Sequence, residues 1–181
     1  MPSARINNQP TTSQPYIGRA LYATGAAATA NLQTANHVAV FPFNMQVARL
    51  VTNISIEVTT SGGAQLYDVG ILDTAGNLLA HAGAQTLTTT GAATILAMTA
   101  PIYLNPGTYL LAITGNGTTA KFRSVGNTVG LWIYDTSTTT TGGVLTSVTL
   151  TNTTPTTTPL PVAGAGGQWS AAGEPPLFML T

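Results

Sequence analysis

The chain offers few side chains able to do acid, base or nucleophilic chemistry. Its 181 residues hold two histidines, His37 and His81, five carboxylates and no cysteine. Without thiols there can be no disulfide, thiolate nucleophile or Cys-ligated metal. A two-histidine metal site would need a nearby carboxylate such as Asp68 or Asp73, and no spacing in the sequence supplies one. Both histidines therefore read as surface or edge residues. No G-x-S-x-G elbow, H-E-x-x-H or Walker loop occurs. A Ser-His-Asp set would have to assemble from separated positions that no motif marks. Asp73 with Asn77 suggests a calcium loop, but such a site takes about 6–8 oxygens with several carboxylates. A tight turn over Asp73-Thr74-Ala75-Gly76 explains Asp73 better. Glu57 and Asp68 fall on different strands, which gives no support to the paired acids of glycoside hydrolysis. The expectation is a non-enzymatic chain with no catalytic residue, no cofactor and no metal.

Binding chemistry is the alternative. Lys121 and Arg123 alternate around Phe122 as a small basic stripe. It suits an acidic protein neighbour or a glycan; the competing reading is a solvated edge strand whose charges discourage aggregation. Trp132, Tyr134 and Trp169 offer aromatic faces of the kind that stack on sugar rings, with core packing as the alternative. Lys121, Arg123 and Trp169 are the candidate glycan or partner contacts. Charged residues make up 6% of the chain and the formal net charge is zero, against about 25% charged in ordinary domains. Long-range attraction to nucleic acid or anionic lipid is correspondingly weak. No nucleic-acid or membrane partner is expected, and no run of about 18 apolar residues marks a membrane helix. Met1 to Pro15 lacks the apolar stretch of a secretion signal. The sequons at Asn53, Asn116 and Asn152 read as chance matches in a Thr-rich chain.

The elements that must position these side chains are strands. Val38 to Phe43 alternates, and Val47 to Thr59 places Leu50, Ile54, Ile56 and Val58 on one face, with Arg49, Asn53, Ser55 and Glu57 on the other. Gln65 to Leu72 aligns Tyr67, Val69 and Ile71. Asn77 to His81, Thr86 to Met98, Thr108 to Thr114, Lys121 to Val125 and Thr128 to Tyr134 follow, separated by Gly, Asn, Asp and Pro. Tyr109, Leu111 and Ile113 join the expected core. No helical period interrupts the series. The fold class is all-β, an antiparallel β-sandwich of jelly-roll type. Residues 1–20, with Pro2, Pro10 and Pro15, read as an extended N-terminal arm; residues 21–181 form the sandwich. Thr dominates 136–159, so 136–161 reads as Thr-rich loops around a possible strand at Val144 to Leu150. The segment Pro175 to Leu180 returns as a last strand.

Several segments, in order, resemble a β-sandwich module of tailed-bacteriophage structural proteins, found in fibre and tip proteins. They are Gly18-Arg19-Ala20-Leu21-Tyr22, Ala39-Val40-Phe41-Pro42-Phe43, Ile54 to Thr60, Val69-Gly70-Ile71-Leu72-Asp73, Ala82-Gly83, Thr88-Thr89-Thr90-Gly91, Leu104 to Ile113 and Pro176-Leu177-Phe178. The resemblance spans most of residues 18–181. It implies a non-enzymatic virion protein, made in the bacterial cytoplasm and usually a homotrimer. Here the module stands behind a short arm instead of ending a long fibre. That favours a capsid decoration or cement protein on the head surface, with the major capsid protein or other virion proteins as partners. On this reading the arm grips neighbouring capsid subunits through Arg5, Ile6, Tyr16 and Arg19. The alternative is a receptor-binding module of a tail or head fibre that holds host surface glycan.

Overall fold

The computed structural model is built of β-strands. It describes residues 16–18, 27–32, 34–90, 93–125, 135–136, 138–152 and 176–181. Among these residues there is no helix. In chain order the strands are β1 (Tyr16–Gly18), β2 (Ala27–Ala30), β3 (Val38–Met45), β4 (Arg49–Thr60), β5 (Leu66–Leu72), β6 (Leu78–His81) and β7 (Gln85–Thr86). They continue with β8 (Ala93–Leu104), β9 (Gly107–Gly115), β10 (Lys121–Val125), β11 (Asp135–Thr136), β12 (Leu150–Asn152) and β13 (Phe178–Leu180). The expected strand at Thr128 to Tyr134 lies outside the described residues.

The strands form two antiparallel sheets. One runs β1-β13-β4-β10-β2 with β8 also paired to β4; the other runs β3-β9-β5-β6 with β7 on β5. A small separate pair joins β11 to β12. From β2 to β5 the chain changes sheet at every step. It stays in the second sheet through β7, then alternates again from β8 to β10. The two sheets, with β2-β10-β4-β8 in one and β3-β9-β5-β6 in the other, make an antiparallel β-sandwich. In-strand prolines obey the sheet: Pro42 sits on β3 and Pro101 on β8. Each of these strands pairs with one other strand only, so neither missing N–H breaks an interior ladder.

Alternation sorts side chains into two cores. Ala39, Phe41 and Phe43 of β3 join Ile54, Ile56, Val58, Tyr67, Val69, Ile71, Leu111 and Ile113 between the sheets. Each large aliphatic side chain fully buried there contributes about 1.5–3 kcal/mol. The opposite face of the second sheet is also covered. Val38, Val40, Leu72, Leu110 and Ala112 pack beneath Leu145 and Val148. The Thr-rich segment 138–150 is therefore a strap over that sheet, and β5 is buried on both faces. Gly76, at φ +91°, lets the strap approach: Val148 N donates to Gly76 O at 2.8 Å, and a Cβ on Gly76 would lie 2.3 Å from Val148 O.

Several expectations are corrected. Leu50 is not core; it is 54% exposed, while Val51 is fully buried. The cause is a bulge in β4 at Thr52 and Asn53, whose amides both donate to Thr181 O, at 2.6 and 2.8 Å, where the register to β8 also shifts, so alternation changes phase there. Ser55, expected to be wet, is buried. Tyr109 is half-buried, its ring 6.0 Å from Phe43. Val144 to Leu150 is not a strand; only Leu150 enters one, β12, while Leu145 and Val148 anchor the strap. The end of the expected arm belongs to the sandwich. Extended Tyr16–Gly18 pairs with β13, Tyr16 against Leu180, supplying backbone partners to a terminal strand. The rest of the arm lies outside the described residues.

Candidate functional site

Chemically capable side chains fall into three places. The first is a buried polar hub on the strap-covered face. Asp68, on β5, is fully buried, and its Oδ2 lies 2.6 Å from His81 Nδ1 on β6. The same oxygen accepts from Leu145 N of the strap at 2.9 Å. Thr114 sits directly opposite Asp68 on β9. Its hydroxyl donates to His37 O and lies 2.8 Å from the Thr140 hydroxyl. Sequence spacing hid this hub because its members come from five separate segments. The visible signal was an acid amid the apolar run of β5.

A histidine oriented by a buried carboxylate is half of a nucleophile-activating arrangement. Among the described residues no hydroxyl bonds the His81 ring. Nor does any group of three or more His, Cys, Asp or Glu gather there as a metal site. What the geometry does perform is fastening. One carboxylate ties β5, β6 and the strap, and burial away from water strengthens those bonds.

The second place is the outer face of the first sheet. Arg123 donates from Nε and Nη2 to Glu57 Oε1, each at 3.1 Å, with both side chains about a third exposed (34% and 31%). Arg123 is thus engaged within the fold, and the expected basic stripe reduces to exposed Lys121. Their strand, β10, is an interior strand between β4 and β2, not an edge. Asp73 is likewise occupied. It accepts from Asn77 Nδ2 at 2.7 Å and from Ala75 N and Asn77 N at 2.9 Å, closing the turn the sequence predicted. These bonds, that of the Asn77 side chain foremost, hold its carboxyl below the ordinary value of 3.8.

The third place is apolar. Leu50 and Tyr103 stand opposite each other in register on β4 and β8, 54% and 62% exposed, near Val47 at 48%. The bulge that turned Leu50 outward created this corner, so strict alternation missed it. Tyr103 is the most exposed large apolar side chain among the described residues. The remaining candidates, Arg5, Ile6, Arg19, Trp132, Tyr134 and Trp169, lie outside the described residues; Tyr16 is placed by its backbone in β1. Comparison with protein-family models, with curated proteins and with solved structures finds no match to this chain.

Proposed function

We propose that this chain is a non-enzymatic virion structural protein, a decoration protein that binds the assembled head of a tailed phage. The observation that carries the reading is how the fold spends its polar groups. Asp68, Asp73, Glu57, Arg123 and His81 are each held by a partner inside the molecule. The corner at Val47, Leu50 and Tyr103 is left outside, apolar and uncharged. Apolar contact with an aromatic anchor is how proteins recognise proteins. The order of strand segments resembling phage modules supplies the kind of partner. The mechanism is mass action: a protein that binds only the closed shell stabilises it, by about 2.7 kcal/mol per site at 100 times Kd.

The test is cosedimentation of purified protein with empty expanded capsids. The full chain should pellet with capsids. Tyr103→Ser and a chain starting at Tyr16, which keeps β1, divide the attachment between corner and arm. Failure of the full chain to bind any capsid overturns the reading. The second reading, a glycan-binding receptor module, is favoured by the exposed Tyr103 ring, whose face suits a sugar. Binding to host cells without capsids, lost in Tyr103→Ser, would decide for it.

A further inference from the structure

The first sheet ends on β8, and among the described residues half of that edge lacks every usual protection. Natural edges are guarded by charge, proline, bulges or a covering element. The second half of β8 has two of these, the bulge at Met98–Pro101 and Pro101 itself. The first half, Ala93-Thr94-Ile95-Leu96-Ala97, has none. It is regular strand against Asn53 to Glu57 of β4. Its other side is hydrogen-bonded to no strand among the described residues. No side chain of the segment itself is charged, and the one charge directly across from it, Glu57 opposite Ala93, is engaged by Arg123. From Thr74 to Ala120 the chain has no Asp, Glu, Lys or Arg. That tract supplies β6, β7, β8 and β9. Leu79 of β6, a strand packed against β8, is 38% exposed.

We infer that this edge takes the same edge of a second copy, joining two first sheets antiparallel across a two-fold axis. The chemistry of the site selects the occupant. An open edge offers alternating N–H and C=O groups, which only another extended backbone satisfies in full. The five edge residues are uncharged and the nearby Glu57 is already paired with Arg123, so a charged partner strand would lose hydration without gaining a counter-charge. This chain has the fitting segment, and its zero formal net charge raises no long-range repulsion between copies. Antiparallel pairing of a strand with its own copy is self-complementary, as a two-fold contact requires. With five residues on each side, the contact is held by few hydrogen bonds and is expected to be reversible.

The inference concerns the chain alone and stands or falls separately from capsid binding. Sedimentation velocity of the full chain over a concentration series reads the mass. Wild type should reach the mass of two chains. Ala97→Lys, which places an ammonium at an exposed edge position, should stay at one chain with an unchanged far-ultraviolet dichroism spectrum. Thr74→Lys, in the exposed β5–β6 turn, should behave as wild type. Hydrogen exchange gives a second readout that needs no variant: amides in Ala93–Ala97 should gain protection as concentration rises, while those of the Asp73 turn should not. A wild type that remains one chain overturns the inference. So does a dimer, or the trimer implied by the phage resemblance, that Ala97→Lys leaves intact and that brings no protection to Ala93–Ala97.

Discussion

Replacing Asp68 tests whether one buried carboxylate fastens the strap. In Asp68→Ala, Leu145 N loses its acceptor at 2.9 Å, and His81 Nδ1 loses its partner at 2.6 Å. Removing one partner of a buried pair costs about 3–5 kcal/mol, and an orphaned buried donor about 1–3 kcal/mol. Two features bring the expected loss below that sum. His81 is 24% exposed and can turn to water, and Asp68 Oδ1 has no partner, so its desolvation is relieved. The expected loss is about 2–4 kcal/mol. Asp68→Asn keeps an oxygen for Leu145 N and should lose about half as much. Urea unfolding measures the loss, and hydrogen exchange at Leu145 localises it. A loss below about 1 kcal/mol, typical of surface substitutions, would refute the fastening role. So would a Leu145 amide as protected in Asp68→Ala as in wild type.

The bulge makes a paired prediction. Val51→Ala should cost about 2 kcal/mol in transfer and cavity energy, while Leu50→Ala should stay within about 0.5 kcal/mol; urea midpoints that reverse this order would return the phase to strict alternation. Asp73 predicts an acid dependence. Its folded carboxyl is held below the ordinary 3.8, so the unfolded chain takes up its proton first as pH falls. The stabilisation is full above that value and is lost as pH drops through the depressed folded pKa. The stability gap between wild type and Asp73→Asn should therefore narrow on acidification, read as urea midpoints across that range. Gly115→Ala should destabilise the fold by about 1–3 kcal/mol through overpacking. Its new Cβ would meet the Tyr67 ring at 2.4 Å. That ring is fixed by its hydroxyl, which donates to Gln65 Oε1 and accepts from Ala120 N. A thermal midpoint equal to wild type would mean that the ring yields.

The sequence by itself determined the strands and the core between the sheets. Ile54, Ile56, Val58, Tyr67, Val69, Ile71, Leu111 and Ile113 were legible because side chains alternate with period 2 on any regular strand. The Asp73 turn was legible because its chemistry is local, an acid accepting from amides two and four residues on. Only the tertiary structure decided what depends on a neighbour. The bulge at Thr52 and Asn53 shows only in how β4 pairs with Thr181 and β8, and no window on β4 alone reveals it. Leu50, Val51 and the exposed corner with Tyr103 follow from that pairing. Asp68 is buried because the strap lies over a face that its own strand leaves polar. The hub at Asp68 joins residues as far apart as His37 and Leu145, and the first half of β8 is an edge only because of where the sheet order ends. Periodicity reports which way a side chain points along its own strand; register, covering and edges are properties of pairs of segments.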